Sequence, residues 1–150
     1  MKILEIENLS KSFESKFEVV SDCTFNIESG KICAIVGESG SGKTTLFRLI
    51  AGLERPDKGT IRINGTLMSS DKFIRDIKDR NVGLVFQDFS LFPHLTVKEN
   101  IEFGLQKNED EKVEKLLETI KMENFQNRYP NELSGGQQQR VSLARSIAMD

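Results

Sequence analysis

The chain has 150 residues, the usual size of one domain, with 37% hydrophobic and 29% charged residues, which is the composition of an ordinary globular protein and excludes a disordered tail. Its 21 basic and 23 acidic residues give a formal net charge of −2. Because no excess of positive charge is available for phosphate groups, a nucleic-acid partner is disfavoured. We therefore expect one folded domain that does not bind nucleic acid.

The sequence indicates neither a membrane span nor a secretion signal. Its apolar runs, such as Ile32–Val36, are far shorter than the roughly 20 residues that cross a bilayer. Apolar and acidic residues alternate after Lys2, so the N-terminus lacks the apolar block of a signal peptide. We expect a cytoplasmic protein in which Cys23 and Cys33 are buried thiols without chemistry, because they lack metal-ligand spacing.

Strand patterns occur in four parts of the sequence. Period-two apolar residues predict two edge strands between Ile3 and Ile27. Two continuous apolar runs, Ile32–Val36 and Val82–Phe86, are typical of strands that are buried on both faces in a parallel sheet. Alternation resumes over Gly59–Met68 around an Asn-Gly dipeptide, which predicts a hairpin. The sequence therefore predicts antiparallel strands together with a parallel sheet.

Apolar residues at helical spacing predict four helices. The first begins after Gly42, the second after Thr96, and the others extend over about 109–122 and 134–149. Gly52 is placed to cap the first helix, and Thr96 with Glu99 forms a capping-box pair at the start of the second. The residues expected to face the core are Leu46, Leu49, Ile50, Val97, Ile101, Leu105, Val113, Leu116, Leu117, Ile120, Val141, Ala144 and Ala148. The order of strand, glycine loop and helix predicts an α/β fold.

The segment from Gly37 to Thr44 fits the phosphate-loop pattern G-x-x-x-x-G-K-[ST] between a predicted strand and a helix. Glycines let the backbone amides turn towards phosphate oxygens, and the N-terminus of the next helix adds positive charge. Lys43 is expected to contact the β and γ phosphates, and the Thr44 hydroxyl to bind Mg²⁺. The pattern predicts nucleoside triphosphate binding, but it leaves a kinase, a GTPase, a helicase and a transport ATPase open.

A second glycine-containing helix start lies at Leu133–Arg140, with the sequence LSGGQQQR. Ser134 is a good N-cap, and Gln137 three residues later completes a capping box. Gly135 and Gly136 leave backbone amides uncovered, so this helix start is able to hold an anion.

Leu133–Arg140 resembles the signature motif of the ATP-binding cassette (ABC) family, and the resemblance covers essentially the whole chain. It implies that Ser134, Gly135, Gly136 and Gln137 reach the γ-phosphate of ATP on a partner subunit. Gln87 resembles the Q-loop glutamine, which implies a role in placing Mg²⁺ and the attacking water and in signalling to the membrane subunit. Phe13 resembles the aromatic residue that stacks on adenine.

The resemblance implies catalytic roles for Lys43 and Gln87 and magnesium contacts from Thr44 and Gln87. The expected ATP-binding residues are Phe13, Gly37, Glu38, Ser39, Gly40, Ser41, Gly42, Lys43, Thr44, Thr45, Ser134, Gly135, Gly136 and Gln137. His94 is expected to be a loop residue without a catalytic role.

The implied fold is an α/β P-loop NTPase core of the ABC type with an antiparallel β subdomain and a helical subdomain. Residues 1–90 correspond to the core, 91–140 to the helical subdomain, and 141–150 to the start of the return to the core. The family's Walker B aspartate and glutamate follow on a later strand, so the 150 residues are expected to be a partial nucleotide-binding domain. Asp150 is interpreted as a helix-ending residue.

The resemblance implies the ATP-binding subunit of an ABC importer, with ATP and Mg²⁺ as cofactors and a small polar solute such as an amino acid. Its implied partners are a second ATP-binding subunit in a head-to-tail dimer, transmembrane permease subunits and, indirectly, an extracytoplasmic solute-binding protein. The expected location is the inner face of the cell membrane, through the permease. A soluble ABC-type ATPase of DNA repair or translation and a non-catalytic nucleotide-binding fragment are the alternatives.

Overall fold

A computed structural model describes residues 1–13, 17–103, 105 and 109–148 of the chain. The chain forms two compact units, Met1–Val82 and Gly83–Asp150, and each is described by itself. Within the described residues no helix is both long enough and apolar enough to cross a membrane.

The first unit contains a four-stranded antiparallel sheet in the order β2-β1-β3-β4. Its strands are β1 (Lys2–Phe13), β2 (Phe17–Glu28), β3 (Lys58–Ile63) and β4 (Thr66–Ser70). The N-terminal strands and the hairpin are therefore confirmed. The prediction that both N-terminal strands are edges is wrong for β1, because it pairs with β2 on one side and with β3 on the other.

One helix, α1 (Lys43–Ala51), packs its apolar side on the core of this sheet. Leu46 and Leu49 are buried with strand residues that include Ile6 and Ile61. The helix ends at Gly52, whose φ of 83° is the left-handed conformation of a C-terminal cap. Both the helix and its glycine cap are confirmed.

The two predicted parallel strands are not formed. Ile32–Val36 and Val82–Phe86 are outside the sheet, and no described residue pairs with either of them in a ladder. Ile32 and Val36 are almost wholly exposed. The reason is physical: a strand needs a neighbour for its N–H and C=O groups, and the described residues supply none beside these segments.

The second unit is helical. It consists of α2 (Val97–Glu102), α3 (Asp110–Ile120) and α4 (Gly135–Ala148), with short 3₁₀ turns at Glu123–Phe125 and Pro130–Glu132. A further 3₁₀ turn, Ile77–Asp79, lies in the first unit. The apolar core of the helical unit is formed by Val97, Ile101, Val113, Leu117, Ile120, Met122, Leu133, Val141, Ala144 and Ala148. These residues include most of the expected core positions.

The boundaries of these helices follow local chemistry. In α2 the Glu99 N–H donates to Thr96 Oγ1 at 3.3 Å and the Thr96 N–H donates to Glu99 Oε2 at 2.7 Å, which confirms the capping box. The predicted continuation of α2 to Leu105 is wrong: the helix ends at Glu102, and Leu105 packs on the core from outside it. The predicted helix end at Met149, and Asp150, lie outside the described residues.

Candidate nucleotide-binding site

The phosphate loop surrounds the ammonium group of Lys43 with its own acceptors. Lys43 Nζ donates to the carbonyl oxygens of Gly37 at 2.8 Å and Glu38 at 2.5 Å, and to Ser41 Oγ at 3.2 Å. The Ser41 N–H donates to the Glu38 carbonyl at 3.2 Å, which closes a turn. A full positive charge is thus held within the loop, as phosphate binding requires.

The loop joins α1 through Gly42, which has a φ of 87° and serves as the N-cap. A Cβ at this position would collide with the carbonyl oxygen of Val19 on β2, so glycine satisfies both the backbone conformation and the close approach of the strand. The amide groups of Lys43, Thr44 and Thr45 open the helix and have no acceptor within it. They are available to an anion, together with the positive end of the helix dipole.

A cavity of about 230 Å³ lies between the loop and β2. Ser41, Gly42 and Lys43 line it on one side, and Val20 and Cys23 line it on the other. Burial raises the pKa of the Cys23 thiol, which fits the expectation that it carries no chemistry. The expectation of two buried cysteines is wrong, because Cys33 is exposed and Cys23 is half-buried; Cys33 belongs to the segment that did not form a strand.

Phe13 lies at the end of β1 in the same unit as the phosphate loop. Its side chain is 40% exposed. The ammonium group of Lys11 lies 5.3 Å from the centroid of the ring, within cation–π distance. Phe13 was predicted from the sequence as an adenine contact, whereas Lys11 was not.

Gln87 occupies an exposed turn at the start of the second unit. Two residues later, Phe89 has a φ of 61°, which is costly for a bulky residue. Its carbonyl oxygen accepts a hydrogen bond from Ser142 Oγ at 2.9 Å and one from Arg145 Nη2 at 3.5 Å. Both donors belong to α4, so the segment after Gln87 is held by this helix.

The LSGGQ segment begins α4 as expected. The Ser134 N–H donates to Gln137 Oε1 at 2.8 Å and the Gln137 N–H donates to Ser134 Oγ at 3.4 Å, which confirms the capping box. Gly135 and Gly136 are exposed, with no other group close to where a Cβ would lie. Their amides are therefore open to a ligand.

The structure brings Gly37, Glu38, Ser41 and Lys43 together, and the same unit contains Phe13, Ser39, Gly40, Thr44 and Thr45. The second unit contains Gln87, Ser134, Gly135, Gly136 and Gln137. Ser142 and Arg145 gave no signal in the sequence, since each reads as an ordinary helix residue and Phe89 lies more than fifty positions away. His94 is exposed in the turn before α2, with its ring centroid 6.1 Å from that of Phe92.

The profile of the ABC transporter family matches residues 20–150. The match contains the phosphate loop, Gln87 and the LSGGQ segment. The chain therefore belongs to the ABC transporter family, as the resemblance of its motifs predicted.

Two curated relatives show which members of the family are similar in sequence. The sulfate/thiosulfate import ATP-binding protein CysA of Synechocystis sp. is 49% identical, over 96% of this chain and 41% of its own length. The probable sulfate/thiosulfate import ATP-binding protein CysA of Chlorella vulgaris is 46% identical, over 100% of this chain and 64% of its own length. The chain thus spans less than two thirds of the length of these relatives.

Among solved structures, the chain is similar to the ATP-binding cassette MJ0796 in a dimeric post-hydrolysis state bound to ADP and Pi. The TM-score is 0.83 at 33% identity, over 98% of this chain and 70% of that one. This similarity confirms the predicted fold class, an α/β P-loop NTPase of the ABC type. The strands that the structure describes are all antiparallel.

Proposed function

We propose that this chain is the nucleotide-binding part of the ATP-binding subunit of an ABC importer, and that the complete subunit hydrolyses ATP. The observation that carries the proposal is the placement of Lys43: its ammonium lies among three acceptors of the loop, beside free helix amides and a cavity. In this role the loop amides and Lys43 hold the triphosphate, and Phe13 stacks on the adenine.

The donor groups present fit a magnesium–ATP complex. Thr44 is exposed at the start of α1, directly after Lys43, and its hydroxyl is a hard oxygen ligand of the kind that Mg²⁺ takes. The side-chain amide of Gln87, in the second unit, carries an oxygen of the same hard class. When bound, Mg²⁺ neutralises charge on the β and γ phosphates. The residues of this chain bind and orient the nucleotide.

We propose that two copies of the ATP-binding subunit pair head to tail, with the LSGGQ segment of one against the nucleotide of the other. The open amides of Gly135 and Gly136 at the capped start of α4 support this arrangement. The similarity to a cassette that is dimeric with ADP and Pi supports it as well. The turn at Gln87 would pass the resulting motion to permease subunits at the cytoplasmic face of the membrane.

For the transported solute we propose sulfate or thiosulfate. The family resemblance implied a small polar solute such as an amino acid, but both curated relatives are named for sulfate/thiosulfate import. A transport assay tests this proposal: deletion of the gene is expected to abolish uptake of radiolabelled sulfate, and the intact gene to restore it. If sulfate and thiosulfate uptake are unchanged while amino-acid uptake is lost, the proposed solute is wrong.

The phosphate-loop proposal is tested by Lys43→Ala in the full-length protein. Loss of a charge-assisted contact to phosphate is expected to weaken ATP binding by about 10- to 100-fold, measured by titration calorimetry. Lys31→Ala, which removes an exposed lysine outside the loop, is the control and should bind ATP normally. Equal affinity of the Lys43 variant and the wild-type protein would contradict the site.

The proposed head-to-tail pairing is tested by Ser134→Arg. An arginine at the capped start of α4 is expected to block the approach of the partner's nucleotide, so ATP binding persists while dimerisation and turnover are lost. Light scattering with ATP and phosphate release measure the two effects. Gln139→Arg adds the same charge at an exposed site of α4 and should retain turnover. Normal turnover in Ser134→Arg would refute the head-to-tail arrangement.

A further inference from the structure

The end of β1 is tied to the residue just before β3 by an ion pair between residues 46 positions apart. Lys11 Nζ lies 3.2 Å from Asp57 Oδ1. The Lys11 side chain is 14% exposed, so its aliphatic part is packed and its ammonium has little freedom. Lys11 lies two residues before Phe13 on β1.

Asp57 also holds the backbone of β1. Its N–H donates to the Ser10 carbonyl at 2.9 Å, and its Oδ2 accepts the Ser12 N–H at 2.7 Å. The pairing of β1 with β3 shifts register after Glu7 and ends at Ser10 opposite Lys58. On the β3 side of β1, the Asp57 carboxylate therefore supplies the acceptor that β3 does not provide for Ser12.

The charge state of Asp57 suits this role. Burial raises its pKa, but the hydrogen bonds from the Ser12 N–H and from Lys11, with the positive charges of Lys11 and Arg55, outweigh burial and hold the pKa below its ordinary value. The carboxylate is ionised at neutral pH and remains a strong acceptor for both donors.

Lys11 in turn covers one side of the Phe13 ring, at 5.3 Å from the centroid. The Phe13 side chain is 40% exposed, so part of it remains accessible to a ligand. Lys11 pairs with Val20 on β2, and Val20 lines the cavity beside Lys43. Phe13 is two residues further along β1, about 7 Å by the rise of a strand. Phe13 thus lies about two strand positions from a residue whose partner on β2 lines the cavity beside the phosphate loop.

We propose that Lys11 and Asp57 are positioning residues for the nucleobase: they hold Phe13 with one side covered by an ammonium group and the other side presented to adenine. The proposal rests on the proposed function, in which Phe13 stacks on the base of ATP. Asp57 fixes Lys11 and the backbone of Ser12, and Lys11 fixes the ring. Neither residue contacts the phosphates in this arrangement.

The experiment compares two ligands in the full-length protein, ATP and inorganic triphosphate, because only ATP has a base. Lys11→Met keeps the aliphatic stem but removes the charge, and Asp57→Ala removes both interactions of the carboxylate. Each is expected to weaken ATP binding by about three- to tenfold and to leave triphosphate binding unchanged. Lys11→Arg retains a cation over the ring and should restore ATP affinity.

Two further variants make the outcome decisive. Glu5→Gln removes another ion pair of β1, with Lys2, and should change neither affinity. Phe13→Ala should lose about tenfold or more for ATP alone. If Phe13→Ala weakens ATP binding but Lys11→Met and Asp57→Ala do not, or if these two weaken both ligands equally, this inference is wrong. If Phe13→Ala binds ATP normally, the proposed stacking on Phe13 is wrong as well.

Discussion

At the scale of single residues, Gly42 is constrained more strongly than the phosphate-loop pattern indicates. Gly42 has a φ of 87° and lies against the carbonyl oxygen of Val19. The sequence predicts the need for a glycine in this loop, because the motif is local. The contact with Val19 comes from a strand more than twenty residues earlier, and no spacing in the sequence indicates it.

Gly42→Ala is therefore expected to destabilise the protein by about 2 to 5 kcal/mol, from left-handed strain and from overpacking against Val19. Urea unfolding measures the loss. Gly30→Ala is a matched control, since Gly30 also has a positive φ of 74° but open space around it; strain alone should cost it about 1 to 2 kcal/mol. Equal losses in the two variants would show that the Val19 contact has no effect.

At the scale of elements, α1 has the phosphate loop at its N-terminus and a buried arginine at its C-terminus. Its N-terminus is the phosphate loop, and its C-terminal carbonyls at Leu49 and Ile50 accept from Arg80 at 3.4 and 3.0 Å. Arg80 is 1% exposed and also donates to the Met68 carbonyl at 3.0 Å and to Ser69 Oγ at 2.6 Å. Burial, and then the nearby charge of Arg75, lower its pKa from the ordinary value.

Arg80→Met is expected to lower the free energy of unfolding by about 2 to 4 kcal/mol, because several buried acceptors lose their donor. Arg48→Met is the control: Arg48 lies on the same helix in an exposed ion pair with Glu54, and such pairs contribute about 1 kcal/mol or less. Chemical denaturation of both variants measures the difference. A loss in Arg80→Met no larger than that in Arg48→Met would contradict the capping role.

Elements whose signals are local were predicted well, and those that depend on distant partners were not. The capping boxes of α2 and α4 follow from residues three positions apart, and both were predicted. Arg80 was missed because its acceptors lie up to 31 positions away. The strands Ile32–Val36 and Val82–Phe86 were predicted from apolar runs, but strand formation also requires a neighbouring strand.

At the scale of the whole molecule, the described residues contain the phosphate loop, Gln87 and the LSGGQ segment in two compact units. The family resemblance implies that the aspartate and glutamate of Walker B lie on a further strand, and neither carboxylate is among the predicted site residues. The side chains of Ile32 and Val36 are almost wholly exposed, although an apolar run of this kind is typical of a strand that is buried on both faces.

We therefore expect the purified chain of 150 residues to show no steady ATP turnover, because a general base and a metal-binding carboxylate each contribute orders of magnitude to the rate. Phosphate release measures this, with the full-length protein as the positive control. Steady turnover by the 150-residue chain that Lys43→Ala abolishes would contradict the expectation and would require another source of the catalytic carboxylates.

The sequence by itself determined the family, the phosphate loop, the capped start of α4 and the N-terminal strands, because each of these depends on neighbouring residues or on a short motif. Tertiary structure alone decided which apolar runs become strands, how Arg80 caps α1, and how Lys11 and Asp57 meet beside Phe13. These features depend on groups that are far apart in the chain, and only folding brings them within hydrogen-bonding distance.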